Sequence, residues 1–261
     1  MHGALRDYEQ EADMKVLALN ASPRGKDQSK TELLLDSLVE GMRSANADVE
    51  VVPLRTKKIK YCIGCYTCWT KTPGICVFKD DMSRELFPKF LEADLAVLAT
   101  PLYHFGINAQ LKTFIERTLP AIEPFIIEHN GKAAHPLRGR HPLIVALSVA
   151  GFPEHSIFDQ MSSHLRYIYK GGLIAEIYRP AAESMVQPGF ENVRADILDA
   201  VQQAGVEIAQ NFKVSDDTMK RIKQPVGDFK TMCELANTTW QGYIDAGVTP
   251  KEALEKNAIK N

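Results

Sequence analysis

The chain has 261 residues, 45% of them hydrophobic and 25% charged, enough for one large domain with an appendage and unlike disordered or collagen-like chains. Thirty-one basic and thirty-three acidic residues leave a formal charge of −2, which gives no global pull toward nucleic acid or an anionic membrane. Apolar runs such as Leu95 to Leu102 fall short of the roughly 20 residues that span a bilayer. Met1 to Asp13 carries Asp7, Glu9, Glu11 and Asp13 with no apolar core, so neither a secretory nor a membrane address is read and a cytoplasmic chain is expected.

From Met14 to about Lys213, short β-branched apolar runs alternate with segments of helical spacing, the pattern of an α/β domain with a parallel sheet. The first predicted strand, Met14 to Ala21, runs into Asn20-Ala21-Ser22-Pro23-Arg24-Gly25-Lys26-Asp27-Gln28-Ser29-Lys30-Thr31 and then a helix with Leu34, Leu35, Leu38, Val39 and Met42 on one face. A strand, a hydroxyl-rich loop and a helix N-terminus together suit an anion, because unpaired N–H groups and the helix dipole converge there. The loop has neither the dinucleotide glycine fingerprint nor the P-loop, so one phosphate of a mononucleotide fits it better; an ordinary connection capped by Ser29 is the plainer alternative.

A second strand covers Asp48 to Leu54, and beyond it lies the densest chemistry in the chain. Of five cysteines, Cys62, Cys65, Cys68 and Cys76 are spaced C-x2-C-x2-C-x7-C, with Pro73-Gly74 marking a turn in the last interval. Three thiolates at two-residue intervals plus a returning fourth resemble the run that wraps an iron–sulfur cubane; two separated knuckles would suit zinc better. Free structural or redox thiols, or another metal, stay open. Lys57, Lys58 and Lys60 would offset thiolate charge.

Asp81 to Ala93 reads as a helix limited or kinked by Pro88, and Asp80-Asp81 as its N-terminal cap. The third strand, Leu95 to Thr100, enters the aromatic loop Pro101-Leu102-Tyr103-His104-Phe105-Gly106, at the carboxyl edge where open α/β sheets bind ligands. Strands at His141 to Val149 and Gly172 to Tyr178, with helical stripes around Leu111 to Leu119, Ile157 to Ile168 and Val193 to Phe212, complete the domain. After Lys213 only helices are predicted. One is capped by Ser215 and stops before Pro225; one carries Phe229, Met232, Cys233, Ala236, Trp240, Tyr243 and Ile244 on one face; the last opens at the capping box Thr249-Pro250-Lys251-Glu252. The reading is an N-terminal extension at 1–13, an α/β domain at 14–213 and a helical extension at 214–261, with Cys233 as plain core.

The run Asn-Ala-Ser-Pro-Arg before a Ser/Thr-bearing helix start, Cys62-Ile63-Gly64-Cys65-Tyr66-Thr67-Cys68, Cys76-Val77-Phe78-Lys79-Asp80-Asp81-Met82, Thr100-Pro101-Leu102-Tyr103 and Gln110-Leu111-Lys112-Thr113-Phe114-Ile115-Glu116-Arg117 resembles the NAD(P)H-dependent FMN reductases, most of all their iron–sulfur flavoprotein branch. The resemblance implies a flavodoxin-like three-layer αβα fold with a five-stranded parallel sheet of order 2-1-3-4-5 and FMN at the carboxyl ends of its strands. It implies that Ser22, Arg24, Ser29, Lys30 and Thr31 hold the phosphate. Pro101, Leu102, Tyr103, His104, Phe105 and Gly106 would wrap the isoalloxazine, with Ser148 to Phe152 as a third contacting loop. The four cysteines would be the ligands of a [4Fe–4S] cluster if one is assembled.

No Ser-His-Asp order, His-Glu-x-x-His motif or paired catalytic carboxylate stands out, which suits a protein whose cofactor carries the chemistry. His104 is placed to bond or shield a flavin, whereas His155 more simply begins a helix; Tyr66, Trp69 and Tyr103 suit stacking or a subunit interface. The expected activity is an FMN-dependent oxidoreductase taking hydride from NADH or NADPH and reducing a quinone, free flavin or nitro compound. The alternatives are an electron carrier passing electrons from FMN and a cluster to a redox protein partner, and a non-redox ligand sensor. A homodimer or homotetramer is expected, since sites in this family are commonly completed by a neighbouring subunit.

Overall fold

The computed structural model describes residues 13–25, 28–129 and 131–253. The N-terminal extension read at 1–13 therefore lies outside the described residues except for its last. Among the described residues seven strands form: β1 Lys15–Asn20, β2 Asp48–Pro53, β3 Leu95–Pro101, β4 Ile127–His129, β5 Lys132–Ala134, β6 Leu143–Val149 and β7 Leu173–Arg179. Five of them make a wholly parallel sheet of order β2-β1-β3-β6-β7, which is the expected 2-1-3-4-5 when sheet strands are counted along the chain. The short antiparallel hairpin β4-β5 stands apart, and the sequence reading did not anticipate it.

Strand residues alternate between two buried layers because successive side chains leave opposite faces of a pleated strand. Val16 and Ala18 of β1, Val97 and Ala99 of β3, and Val145 and Leu147 of β6 pack into one layer under α1 (Lys30–Ser44) and α6 (Glu191–Asn211). Leu17, Leu19, Ala96, Leu98, Ile144 and Ala146 pack into the other. That second layer is covered by α2 (Phe87–Glu92), α3 (Ala109–Glu116) and α4 (Asp159–Tyr169). The short α5 (Ala182–Met185) follows β7, and α7 (Asp216–Lys223) and α8 (Phe229–Ala246) follow α6. The helix predicted over Asp81 to Ala93 splits: Met82–Leu86 is a π-turn and α2 begins at Phe87. Pro88 has no N–H for the carbonyl four residues before it, so the ladder widens there.

Ser215, Asp228 and Thr249 cap the helices of the C-terminal part as their side chains dictate. The Thr249 hydroxyl accepts from the Glu252 N–H at 3.3 Å while the Glu252 carboxylate accepts from the Thr249 N–H at 2.7 Å, the reciprocal bonds of a capping box. Among the described residues no helix is long and apolar enough to cross a membrane.

Helices α1 and α6 cross through two glycines. A Cβ at Gly41 would lie 1.8 Å from the Gln202 carbonyl oxygen, and one at Gly205 would lie 2.1 Å from that of Leu38. Both obstacles are backbone, so the helices would have to separate. Gly205→Ala is expected to destabilise by about 3 kcal/mol despite alanine's better helix propensity. Gly242→Ala in α8, where nothing lies within 4 Å, should be neutral to stabilising. Thermal melts of the two variants check the contrast, and equal midpoints would contradict the close crossing.

Candidate functional site

The register of the sheet brings Asn20, Ala99, Thr100, Ser148 and Val149 to one edge, at the crevice where strand order reverses between β1 and β3. The loop after β1 is built there around buried hydroxyls. Ser22, Ser29 and Thr31 are each no more than 3% exposed. The Asn20 carboxamide oxygen accepts from the Ser22 N–H at 2.9 Å, and the Ser29 hydroxyl donates to that of Ser22 at 2.7 Å. Ser29 also caps α1, accepting from the Glu32 N–H at 3.0 Å. The positive end of a fifteen-residue helix and three hydroxyls therefore meet in one concavity.

Arg24 and Lys30 stand at its mouth. In this structure Glu183 of α5 supplies the anion they face, 2.9 Å from the Arg24 guanidinium and 3.2 Å from the Lys30 ammonium. The half-exposed Glu183 carboxylate meets each cation with a different oxygen, so the two side chains converge on one compact anion. The cavity is lined by Ser22, Arg24, Ser29, Lys30 and Thr31 on one side and by Pro101, Leu102 and Tyr103 on the other, closed by Val149, Ala150 and Gly151. Eight of the eleven residues expected to hold the mononucleotide thus line a single cavity, together with part of the expected third loop.

His104 and Phe105 line the adjoining cavity, and Gly106 closes the turn that presents them. Tyr103 and Gly106 exchange both backbone hydrogen bonds, at 3.0 and 2.9 Å, while His104 and Phe105 take φ of 47° and 60°. This is the primed two-residue turn, normally filled by Gly or Asn. Holding two larger residues there costs on the order of 1 kcal/mol each, strain of the kind that collects at ligand-contacting loops.

Asn108, which sequence reasoning did not single out, ties these loops together. Its carboxamide N–H donates to the Ala21 carbonyl, its oxygen accepts from the Leu111 N–H at 3.1 Å as the cap of α3, and its own N–H donates to the Thr100 hydroxyl at 3.2 Å. An Asn directly before a helical stripe was the available signal. Glu183 had none, lying far along the chain from Arg24. His155 opens a 3-10 turn and lines a different cavity, with Glu176 and Tyr178, where burial holds its imidazole below the ordinary histidine value.

The four clustered cysteines line one small cavity together with Phe78, Arg117 and Pro120. Gly64, Tyr66 and Gly74 take positive φ as the chain coils round it, and the Gly74 N–H donates to the Cys68 carbonyl at 2.9 Å. Among the described residues no three Cys, His, Asp or Glu side chains close on a point as ligands of a single ion do. Burial, and after it the charges of Cys76, Cys62 and Cys65, push the Cys68 thiol up; hydrogen bonds from Thr67 bring Cys65 down. A donor set whose thiolates repel one another fits a multinuclear cationic group in kind.

The cation serving this cavity is Arg117. The expected Lys57 is instead paired with Glu85, and the Lys60 ammonium lies 5.2 Å from the centre of the Phe78 ring. Arg117 is 2% exposed, and its guanidinium donates to both oxygens of Asp80, to the Lys60 carbonyl and to the Ser83 hydroxyl, with Cys76 alongside. Burial alone would raise the Asp80 carboxyl, but the Arg117 and Lys60 hydrogen bonds outweigh it and hold the carboxyl down to about 2. Asp80 and Asp81 were read as helix caps. Asp80 does accept from the Ser83 N–H, yet its main partner is Arg117, while Asp81 accepts from the Lys58 N–H. Trp69 donates its indole N–H to the Leu119 carbonyl, and Tyr66 and Tyr103 are about half exposed.

A five-stranded parallel sheet of this order with an anion loop after β1 and an aromatic loop after β3 defines a flavodoxin-like mononucleotide-binding protein. The family model of the NADPH-dependent FMN reductases matches residues 14–178, and the chain belongs to that family. It is 40% identical over 242 residues to an iron-sulfur flavoprotein of Archaeoglobus fulgidus, covering 90% of this chain and 99% of that protein. It is 27% identical over 165 residues to FMN-dependent NADH:quinone oxidoreductase 2 of Bradyrhizobium diazoefficiens, covering 60% and 80%. Among solved structures, the NAD(P)H:quinone oxidoreductase from Methanothermobacter marburgensis superposes with a TM-score of 0.54 at 20% identity, covering 76% of this chain and 98% of that one, which supports the fold.

Proposed function

We propose that this protein is an FMN-dependent oxidoreductase that oxidises NADPH or NADH and reduces a small acceptor, a quinone foremost. The observation that carries the reading is the single cavity joining the buried hydroxyl loop, with Arg24 and Lys30 at its mouth, to the loop after β3. Bound FMN would supply the redox chemistry, accepting hydride from the nicotinamide and delivering two electrons to the acceptor. The chain's own residues bind and orient: Ser22, Ser29 and Thr31 with Arg24 and Lys30 take the phosphate, and Pro101 to Gly106 flank the ring. For a quinone the net reaction takes one hydride from the nicotinamide and one proton from solvent to give the hydroquinone.

The test is anaerobic turnover of purified FMN-loaded protein with NADPH and a naphthoquinone. Stoichiometric loss of both is expected, and nicotinamide left unoxidised would overturn the reading.

A second reading is favoured by one observation, the four thiols lining one cavity beside Arg117. In it Cys62, Cys65, Cys68 and Cys76 hold a [4Fe–4S] cluster and electrons pass onward to a redox protein partner, in keeping with the name of the Archaeoglobus fulgidus relative. Anaerobically purified protein with about four irons per chain would support it; iron-free protein that still turns over would remove it. In either reading the protein works in the cytoplasm as a homodimer or homotetramer.

A further inference from the structure

Another cavity lies at the free edge of the sheet and shares no lining residue with the two cavities at the mononucleotide site. It encloses about 770 Å³ and runs along β7, the last strand in the sheet order, with α4 on one side and the chain from Lys213 into α7 on the other. Its floor is Ile174, Ala175, Glu176 and Tyr178. Glu176 is already engaged there. Its carboxylate accepts from the Ser162 and Tyr178 hydroxyls and from the Arg166 guanidinium, so the charges of Glu176 and Arg166 cancel.

Other groups are left over. Among the described residues the buried His155 Nε2 has no hydrogen-bond partner, and Lys213 and Lys223 have no ion pair. Next to Tyr178 along β7, Arg179 is 1% exposed, and its guanidinium donates to the Ile222 and Gln224 carbonyls at 2.8 and 2.6 Å. Its Nε has no acceptor and no described carboxylate pairs with it, so burial alone draws the guanidinium down to about 10. A buried cation ordinarily comes with a counter-charge. Asp159 is the carboxylate in this wall that Arg166 does not neutralise, yet at the His155 ring its charge counts for less than that of Lys223. Apolar surface comes from Val214, Met219 and the Phe158 and Tyr178 rings, stacked with centroids 4.9 Å apart.

We propose that this cavity is a second ligand site, specific for a ring-bearing anion whose carboxylate or phosphate ester meets Lys223 and the His155 Nε2 while its ring lies on the apolar wall. The volume is that of small-molecule sites, which combine apolar walls with a few convergent polar groups. A neutral imidazole in its Nε2–H tautomer donates to an anion oxygen, and Lys223 adds a charge-assisted bond. The apolar wall favours a ring-bearing anion over inorganic phosphate. No flavin chemistry enters, so the site stands independently of the redox reading.

The test titrates full-length protein, with FMN present, by calorimetry with phenyl phosphate, benzoate and inorganic phosphate. At least one aromatic probe should bind with a dissociation constant on the order of 1 mM or below, and inorganic phosphate about tenfold more weakly or worse. The tighter aromatic probe identifies the head group. Lys223→Gln should weaken binding about tenfold. Lys220→Gln, on the same helix but outside the cavity and paired with Asp217, should leave it unchanged. In isotope-labelled protein, the histidine Cε1–H signal that His155→Gln removes should shift as the probe binds. Failure of both aromatic probes to bind, inorganic phosphate binding as tightly as either, equal affinities in Lys220→Gln and Lys223→Gln, or an unmoved His155 signal would overturn the proposal.

Discussion

Lys30→Glu should raise the dissociation constant for FMN about a hundredfold or more, while Glu183→Gln should lower it several-fold. The Lys30 side chain is 13% exposed, so its charge is only partly screened where it faces the loop. A charge-assisted bond to phosphate contributes about 1.5–3 kcal/mol, and reversal adds repulsion on top, so about 2.8 kcal/mol, a hundredfold, is the lower end. Folding should survive, because an acidic side chain in the first turn of α1 suits the helix dipole. Glu183 works in the other direction. Its carboxylate holds the two cations that a phosphate would use, so FMN must displace it, and the neutral amide of glutamine competes less. Titrating apoprotein with FMN by fluorescence quenching reads both, and a Glu183→Gln protein that binds FMN more weakly would contradict the placement of the phosphate at Arg24 and Lys30.

Arg117→Met should be the most damaging single substitution near the cysteines. It strands the Asp80 carboxylate, 7% exposed, without its cation, and breaking one side of a buried pair costs about 3–5 kcal/mol. The melting temperature should fall on the order of 10 °C. Arg117→Met/Asp80→Leu, which removes both charges, should recover much of the loss. Because Asp80 joins the Lys60 backbone to Ser83 and Arg117, loosening it should also raise the reactivity of Cys68 toward a thiol reagent.

The pH dependence has a fixed sign. The Asp80 carboxyl lies at about 2 in the folded protein, below roughly 3.9 for an unfolded aspartate, so its stabilisation is present above that value and is lost as pH falls from about 4 toward 2. Urea midpoints across that window should fall more steeply for wild type than for Asp80→Asn.

The sheet was legible because its strands are covered on both faces. The strands read at Leu95 to Thr100 and His141 to Val149 are nearly continuous apolar runs, and their ends differ from the observed Leu95–Pro101 and Leu143–Val149 by a residue or two. The anion loop was legible because its chemistry is local: a strand, two serines, a threonine and a helix start lie within a dozen residues. What escaped was long-range. Glu183 meets Arg24 across 159 positions and Arg117 meets Asp80 across 37, and such pairs leave no periodic trace in a single sequence. Asp80 looked like a cap because capping is the commoner fate of an aspartate before a helix, and burial beside Arg117 decided otherwise. The α8 stripe needs cover from the sheet domain or from a partner subunit, and its spacing alone does not separate the two: Met232 is buried within the described chain, Cys233, read as plain core, is only half-buried, and Phe229, Trp240 and Ile244 are exposed.

Anaerobic titration of the FMN-loaded protein with NADPH, followed through the flavin absorbance, tests the central claim most directly. Stoichiometric bleaching, reversed when a naphthoquinone is added, is the result this account predicts. A flavin that stays oxidised under excess NADPH and NADH would contradict it.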